Sequence, residues 1–347
     1  MKNRRFGFGI IGCGSIGPYH ANAINAVADA QLIAVTDIIE DKAKSFAEKF
    51  NAKCWYTDYQ EMLKRDDIDI VCICTPSGMH SEMAVAAADA KKHILCEKPL
   101  DISIEAIDKM LDAVRKNGVK LSGVFQRRTY NSSIKAREAV QSGALGKMVL
   151  GDAYLKYYRN QEYYNSAGWR GTWSMDGGGA LMNQGVHGID LVQWIMGDIE
   201  SVFAKAGALA RKIEVEDTAV VVVTYKNGAY GVIEGATSVY PAIPTRLELH
   251  GEKGSIIMEE QTITKWQVIG EEPKVFEEDE KVGGSSDPTS ISATGHIRHV
   301  TDLVNAIKED REPAINGGSA KKAVEVILAI YESARTGKEI RIDELRS

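Results

Sequence analysis

The fold is decided by the stretch Phe6-Gly7-Phe8-Gly9-Ile10-Ile11-Gly12-Cys13-Gly14-Ser15-Ile16-Gly17, which joins an apolar run to a helical pattern. Three glycines spaced GxGxxG between a strand and a helix are typical of a turn that binds a dinucleotide. Gly12 permits the tight turn, Gly14 lets the backbone approach a pyrophosphate, and Gly17 lets the helix pack closely on the strand. The alternative is an ordinary glycine-rich turn. The loop residues predicted to contact the cofactor are Gly12, Cys13, Gly14, Ser15, Ile16 and Gly17.

Asp37 indicates which dinucleotide to expect. It follows the next apolar run, 31–36, and lies twenty residues after Gly17. A carboxylate here accepts hydrogen bonds from the adenosine ribose hydroxyls and repels a 2′-phosphate. Ile38 comes next and supplies no positive charge for such a phosphate. We therefore predict that Asp37 and Ile38 contribute to a site for NAD rather than NADP.

The composition of the 347 residues limits the classes of protein to consider. A chain of this length usually exceeds one hydrophobic core, so we expect two domains. With 44% hydrophobic and 26% charged residues the chain is ordinary for a globular protein, and its net charge of −6 argues against a nucleic-acid partner. No apolar run approaches the roughly 20 residues that span a bilayer. We therefore expect no membrane association.

Cysteine usage predicts a cytoplasmic protein. All five cysteines lie in the first third of the chain, and Cys72 and Cys74 alternate within one apolar strand pattern. This spacing fits neither a zinc site nor a disulfide framework. We interpret the thiols as reduced, small packing residues, which is typical of the cytoplasm.

The first third of the chain alternates strand and helix patterns. Such alternation is typical of a parallel, doubly wound α/β sheet of the Rossmann type, which binds ligands at the carboxyl ends of its strands. After Asp37, strands are predicted at 53–55, 68–74, 93–96 and 120–124, and helices at 42–50, 59–64, 79–90 and 104–117.

The pattern changes after about residue 126, and from residue 202 strands follow one another without helices between them. They predict a second domain of the α+β class with a large, open, mostly antiparallel sheet. We expect a dinucleotide-binding domain at 1–126 and a domain for substrate binding and oligomerisation at 127–347. Its predicted strands are 148–156, 202–210, 217–225, 230–240, 246–250, 255–259 and 262–268, and its predicted helices are 132–142, 179–196, 296–309 and 319–336.

A broad open sheet needs a cover on its far face. Association of identical chains is the usual solution, so we predict a homodimer or homotetramer through this sheet. The polar, acidic segment 271–288 is predicted to be a mobile loop that crosses a site entrance.

Two short polar motifs end neighbouring strands of the predicted parallel sheet. Thr75-Pro76-Ser77 follows the strand 68–74, with His80 one turn into the next helix, and Glu97-Lys98 follows the strand 93–96. Both lie on the edge where a nicotinamide would bind, and a partly buried Lys98 ammonium would stabilise a developing alkoxide. The alternatives are a strand end with a helix cap for the first motif and a solvated lysine for the second.

The glycine-rich segment 176–190 carries a third set of polar residues. At 3.6 residues per turn, Asn183, His187, Asp190 and Trp194 share one helical face. A histidine among polar groups is a candidate general base, and a core histidine with satisfied hydrogen bonds is the alternative. Asn183 and His187 lack the carboxylate or second histidine that would make them a metal-ligand pair, so no metal site is predicted.

The stretch 157–173 is polar and aromatic, and it ends in Trp169-Arg170-Gly171-Thr172-Trp173. Flat rings beside hydrogen-bonding groups suit a polyhydroxylated substrate. They suit a protein interface equally well.

Together these residues resemble the glucose–fructose oxidoreductase/inositol dehydrogenase (Gfo/Idh/MocA) family. The resemblance spans essentially the whole chain and lies in four motifs. These are Gly12-x-Gly14-x-x-Gly17-x-x-His20, Cys74-Thr75-Pro76-Ser77-x-x-His80, Glu97-Lys98-Pro99, and the glycine-rich helix with His187 and Asp190.

The resemblance implies an NAD-dependent dehydrogenase that acts on a cyclic polyol, a sugar or a sugar derivative such as an inositol, a glycoside or a nucleotide sugar. His187 would take the proton from the hydroxyl while hydride passes to nicotinamide C4, and Lys98 would hydrogen-bond the reacting oxygen. The further cofactor contacts expected are Thr75, Pro76, Ser77, His80, Glu97, Lys98 and Gln126. The expected substrate contacts are Lys98, Arg127, Tyr163, Trp169, Arg170, Asn183 and His187.

Asn183 departs from the family pattern, because many members carry Asp four residues before the histidine. Asn cannot ionise, so it can orient the substrate or His187 but cannot relay a proton. Asn at this position also occurs in the branch of the family that acts on nucleotide-linked amino-sugar uronates at C3.

Two other functions are compatible with the resemblance. Some relatives use tightly held NAD as an internal redox relay to cleave a glycosidic bond, and the same fold has been recruited as a non-catalytic sensor of sugar or NAD. The presence of Lys98 and His187 argues against the sensor.

Overall fold

The structure is a computed structural model that describes residues 4–272, 276 and 293–346. These residues form two compact units. The first contains 4–126 and 293–321, and the second contains 127–272, 276 and 322–346. From the sequence pattern, 293–321 is expected with the second half of the chain, whereas here it lies in the first unit. The assignment of each half to a separate folding domain stays a prediction.

The first unit is built on a six-stranded sheet. Every strand pair is parallel. The strands are β1 (Phe6–Ile11), β2 (Ala30–Thr36), β3 (Cys54–Tyr56), β4 (Ile70–Ile73), β5 (His93–Cys96) and β6 (Leu121–Gly123). Their spatial order is β3-β2-β1-β4-β5-β6, so the direction of winding reverses between β1 and β4. Ligands of such sheets bind at the carboxyl ends of the strands beside this point. The predicted Rossmann sheet is confirmed.

The helices between these strands are α1 (Gly17–Ala26), α2 (Glu40–Phe50), α3 (Tyr59–Leu63), α4 (His80–Asp89) and α5 (Ile104–Asn117). The central strands are covered on both faces, since the consecutive residues Ile70, Val71, Cys72 and Ile73 of β4 are all fully buried. Burial on both faces explains why these strands are continuous apolar runs in the sequence.

The second unit contains an eight-stranded sheet in the order β13-β12-β11-β7-β10-β9-β8-β14. Only β7 and β10 pair in parallel, so the predicted large, mostly antiparallel sheet is confirmed. Its strands are β7 (Met148–Lys156), β8 (Ile199–Gly207), β9 (Thr218–Tyr225), β10 (Tyr230–Ala236), β11 (Arg246–Gly251), β12 (Gly254–Glu259), β13 (Thr262–Val268) and β14 (Ile340–Arg341). Its helices before β8 are α6 (Asn131–Gln141), α7 (Gln161–Asn165) and α8 (Val186–Met196).

Two long helices follow the undescribed segment. α9 (Ala293–Lys308) packs on α1, and its Val300, Leu303 and Val304 join the buried core of the first unit. α10 (Gly317–Thr336) contributes residues up to Lys321 to the first unit and the remainder to the second. Most of the loop predicted at 271–288 lies outside the described residues.

The predicted continuous helix over 179–196 is wrong in its first half. Ala180–Gly185 forms a π-helical turn, and α8 begins only at Val186. The Glu216 carboxylate holds the start of this turn, accepting hydrogen bonds from the main-chain N–H groups of Gly179 at 3.0 Å and Leu181 at 2.8 Å. π turns occur frequently at functional sites.

Candidate active site

The glycine loop between β1 and α1 has the geometry of an anion-binding turn. Gly12 has φ +99°, and a Cβ atom there would lie 2.7 Å from the carbonyl oxygen of Cys74, so only glycine fits. A Cβ atom on Gly14 would meet nothing within 4 Å. Ile16 precedes α1 and provides no side-chain cap. The start of α1 can therefore direct N–H groups at an anion that approaches over Gly14.

Asp37 is held beside this loop at the end of β2. Its Oδ2 accepts a hydrogen bond from the N–H of Cys13 at 3.0 Å, and its Oδ1 accepts one from the N–H of Ile39 at 3.0 Å. Burial and then the Asp37 carboxylate raise the pKa of the Cys13 thiol to about 12, so the loop carries no thiolate at the phosphate position. Ile38 is 88% exposed and brings no positive charge. These residues fit NAD, with Asp37 at the adenosine ribose and the loop at the pyrophosphate.

His80 joins the turn after β4 to the loop after β5. Its Nε2 lies 2.8 Å from the carbonyl oxygen of Thr75, and its Nδ1 lies 2.7 Å from that of Pro99. The ring is buried, as is Ser77, which begins a 3₁₀ turn, Ser77–Met79. The buried His80 ring therefore links the segment at Thr75 to the segment at Pro99. These are the two segments predicted to lie beside the nicotinamide.

The two residues after β5 differ in their surroundings. Lys98 is half-buried, whereas Glu97 is only 6% exposed. The Glu97 carboxylate lies 2.8 Å from Nε2 of His20 and 3.3 Å from Nε2 of His296. The Glu97 side chain therefore lies in the core of the first unit.

The residues after β6 begin with a 3₁₀ turn, Gln126–Thr129, in which Gln126 is half-buried. Arg127 donates a hydrogen bond to Oγ1 of Thr245 at 2.9 Å, and its guanidinium lies 3.6 Å from the Glu260 carboxylate. Thr245 directly precedes β11 and Glu260 directly follows β12. The Arg127 guanidinium therefore contacts two residues of its own unit.

The polar stripe predicted on the long helix is interrupted. Asp190 is buried and accepts two hydrogen bonds from the buried guanidinium of Arg128, a residue that the sequence analysis did not select. Such a buried, bidentate ion pair is costly to break by removing one partner. Asp190 therefore anchors α8 and is not an open polar group beside His187.

Asn183 is oriented by a chain of polar groups. Its Nδ2 donates to Oδ1 of Asp176 at 2.6 Å, and its Oδ1 accepts from Nε2 of Gln184 at 3.0 Å. Gln184 also reaches the hydroxyl of Tyr163 at 3.1 Å. The carboxylate that Asn183 lacks is thus supplied nearby by buried Asp176. Sequence reasoning missed Asp176 and Gln184, because the contact between Asp176 and Asn183 depends on how the glycine-rich segment between them turns.

Tyr163 is packed between arginines. The guanidinium of Arg170 lies 4.1 Å from the ring centre, and that of Arg159 lies 5.5 Å from it. Arg159 is committed to Oε1 of Gln184 at 2.9 Å. Nε of Arg170 is buried and has no hydrogen-bond partner among the described residues. A guanidinium held on an aromatic ring with unmatched donors is suited to bind a carboxylate or a phosphate.

The two residues predicted to be catalytic lie in different units. Lys98 belongs to the first unit, directly after β5, and His187 belongs to the second, in the first turn of α8. Both side chains are half-buried, so each has part of its surface open to a ligand. Their action on one reacting hydroxyl stays a prediction.

Comparisons with known proteins agree with this geometry. The family model "Oxidoreductase family, NAD-binding Rossmann fold" matches residues 6–125, and the model "GFO/IDH/MocA C-terminal domain" matches residues 133–257. A myo-inositol 2-dehydrogenase of Thermotoga maritima is 28% identical over 97% of this chain and 98% of its own length. An uncharacterized oxidoreductase of Bacillus subtilis, YrbE, is 35% identical over 71% of this chain and 72% of its own length.

A solved structure matches almost the whole chain. The WlbA dehydrogenase from Bordetella pertussis, in complex with NADH and UDP-GlcNAcA, has a TM-score of 0.87 and 31% sequence identity, covering 97% of this chain and 99% of its own.

The parallel sheet, the glycine loop and Asp37 beside it form an NAD-binding domain, and the family that matches this domain is one of oxidoreductases. The predicted enzyme class and cofactor are thereby confirmed. The chain belongs to the Gfo/Idh/MocA family of oxidoreductases, as its motifs predicted. Among the residues that the structure describes, none of the helices combines the length and the apolar character needed to cross a membrane.

Proposed function

We propose that this protein is an NAD-dependent dehydrogenase that oxidises a secondary hydroxyl of a cyclic polyol, sugar or sugar derivative. The observation that carries the proposal is the half-buried Lys98 at the carboxyl end of β5, on the edge of the sheet that also bears the glycine loop and Asp37. Bound NAD supplies the capacity to accept a hydride. His187 takes the hydroxyl proton, and the Lys98 ammonium hydrogen-bonds the oxygen as it becomes a carbonyl.

A screen of cyclic polyols, sugars and nucleotide sugars with NAD and with NADP tests this proposal. We expect reduced cofactor to accumulate with one substrate class and with NAD in preference to NADP, as measured by its absorbance. Consumption of a glycoside without net formation of NADH would instead indicate an internal redox relay. If no cyclic hydroxyl compound reacts, both the dehydrogenase and the internal redox relay are contradicted.

We further propose that the substrate is acidic, of the nucleotide-linked uronate class. Three observations support it. Asn183 is shared with the branch of the family that acts on such compounds. Arg170 offers unmatched guanidinium donors beside Tyr163. The WlbA dehydrogenase, 31% identical to this chain, holds UDP-GlcNAcA in its solved structure.

Replacing Arg170 by methionine should separate acidic from neutral substrates. A hydrogen bond to a charged group contributes about 1.5–3 kcal/mol, so we expect kcat/KM for a nucleotide-linked uronate to fall about 10- to 100-fold. The value for a neutral polyol should change by less than about threefold, since it makes no ion pair with the guanidinium.

Arg137→Met is the matched control, because Arg137 also lies over an aromatic ring, 4.3 Å from the centre of Trp194. It should leave both substrates unaffected. An equal loss on acidic and neutral substrates in Arg170→Met would show that Arg170 supports the fold of the site and does not recognise an anion.

We also propose that identical chains associate through the exposed face of the eight-stranded sheet. Phe203 and Val222 are directly paired across β8 and β9, and with Val220 they are between 41% and 53% exposed. A contiguous exposed apolar surface on a sheet is typical of an interaction site.

Val222→Asp should convert the protein to monomers, because it introduces a charge among these exposed apolar residues that would have to be desolvated on association. Light scattering coupled to size-exclusion chromatography measures the mass directly. Leu209→Asp is the control, since Leu209 is 77% exposed but lies beyond the end of β8. A monomeric wild-type protein, or an unchanged oligomer in Val222→Asp, would refute the interface.

A further inference from the structure

Three polar side chains from three different elements meet in the core of the first unit. His20 lies on α1, Glu97 follows β5, and His296 lies on α9. Both histidines are completely buried, and Oε1 of Glu97 lies 2.8 Å from Nε2 of His20 and 3.3 Å from Nε2 of His296. The two imidazole rings contact each other edge to face, with 4.9 Å between their centres. We call these three residues the Glu97 network.

The Glu97 network buries one negative charge. Burial alone would raise the pKa of the Glu97 carboxyl, but the hydrogen bonds from His20 and His296 outweigh it and hold that pKa well below its usual range. Burial, with a smaller contribution from His296, lowers the pKa of His20, so that ring is neutral. An ionised carboxylate in a core is costly unless it is hydrogen-bonded, and apolar residues of the same volume would avoid that cost. Stability alone is therefore a weak reason for this arrangement.

Which ring nitrogen of His20 and of His296 carries the proton distinguishes a hydrogen-bonded network from a metal site. The three ligand atoms lie within 4.8 Å of one another, which is close enough to surround an ion. A histidine that binds a metal almost always donates its other ring N–H to a second group. Nδ1 of His20 and Nδ1 of His296 have no hydrogen-bond partner among the described residues. This favours Nε2–H tautomers that donate to Glu97, with Nδ1 as the unprotonated nitrogen.

The second carboxylate oxygen of Glu97 accepts a hydrogen bond from the main-chain N–H of Lys98 at 3.3 Å. The network therefore reaches Lys98 from inside the protein. Through His20 it also reaches α1, whose first turn follows the glycine loop. One buried carboxylate thus connects the backbone at Lys98 with the helix that faces the cofactor's pyrophosphate.

We propose that His20, Glu97 and His296 are positioning residues that fix the backbone of Lys98 relative to the dinucleotide-binding helix. The inference rests on the proposed role of Lys98 at the reacting oxygen. Fixing that backbone limits where the ammonium can lie, and a displacement of about 1 Å in a reacting group can cost on the order of 100-fold in rate.

Amide hydrogen exchange tests the contact without any turnover. In the cofactor-free protein, Glu97→Gln keeps the side-chain volume, but its amide cannot accept from both rings and from Lys98 together. We expect the Lys98 N–H to exchange at least about tenfold faster, with no change in strands remote from it. Because Pro99 has no N–H, a short peptide that begins before Lys98 reports this amide almost alone. Unchanged exchange at Lys98 would overturn the proposal.

A matched pair at His296 tests the consequence for catalysis. Gln keeps a donor near the position of Nε2, whereas Leu keeps only the volume. We expect the single-turnover rate constant for hydride transfer to fall about 10- to 100-fold in His296→Leu and less than about threefold in His296→Gln, with the Kd of NADH unchanged in both. Partial unfolding would lower the amplitude of the turnover and not its rate constant, so a structural defect is recognisable.

The outcomes separate this inference from the proposed function. If the wild-type protein oxidises no cyclic hydroxyl compound, the proposed function fails whatever the exchange data give. If Lys98→Met turns over normally, the proposed role of Lys98 fails. If both behave as proposed and His296→Leu keeps the wild-type rate constant, the positioning role fails. Equal losses in His296→Gln and His296→Leu, together with a divalent metal found by elemental analysis only in the wild-type protein, would establish a metal site instead.

Discussion

Replacing Lys98 by methionine lowers kcat about 100- to 1,000-fold, because the variant loses a preorganised cation at the oxygen where charge develops. Methionine retains the unbranched stem of the half-buried lysine, so the packing after β5 should persist. The Kd of NADH should stay within about threefold, since the glycine loop and Asp37 supply the expected cofactor contacts. Steady-state kinetics give the first quantity, and quenching of protein fluorescence by NADH gives the second.

Lys116→Met is the control for the removal of a lysine charge, because Lys116 is exposed near the end of α5. It should match the wild-type protein in both measurements. Near-normal turnover in Lys98→Met would remove Lys98 from the mechanism. A large loss of NADH affinity with little change in kcat would assign Lys98 to cofactor binding alone.

The parts of the fold that local pattern determines were predictable from the sequence. The strands at 93–96, 148–156 and 262–268 and the helix at 104–117 have the predicted bounds. Each combines a clear apolar period with a turn or cap at its ends, such as Ser103, which caps α5 by accepting from the N–H of Ala106. The glycine loop was predictable for the same reason, because its spacing is local.

The parts that distant partners determine were not predictable. The start of the π turn is held by Glu216, which accepts a hydrogen bond from the N–H of Leu181 from 35 positions away. The Glu97 network depends on His296, which is 199 positions away from Glu97. The period of α9 predicted a helix but could not predict which unit its apolar face would cover. No spacing rule relates such pairs, because the intervening chain sets their distance.

In the candidate site, too, local motifs were predictable and contacts between distant residues were not. Position and residue type made Asp37, Lys98 and His187 candidates, and the family resemblance gave Lys98 and His187 their expected catalytic roles. Asn183 was selected as a residue that orients, but its acceptor Asp176 depends on how the glycine-rich turn closes. The substrate class was therefore less predictable than the cofactor, since it is decided by side chains on several loops.

Replacing His187 by alanine should lower kcat about 100- to 10,000-fold, the range that a general base contributes. The variant leaves a space the size of an imidazole ring at the start of α8, so added imidazole should restore part of the rate. The restored rate should increase with the concentration of unprotonated imidazole, as measured at several pH values. His250→Ala, which removes a half-buried histidine from β11, should need no rescue.

The double variant Lys98→Met/His187→Ala tests whether the two residues act on one oxygen. Groups that act as a unit are strongly non-additive, so that removing the second costs little once the first is gone. We therefore expect the double variant to be within about tenfold of the slower single variant in single-turnover rate. If the two losses multiply instead, Lys98 and His187 contribute to independent steps. The amine and the imidazole would then not share a reacting hydroxyl, although each unit would keep its own binding role.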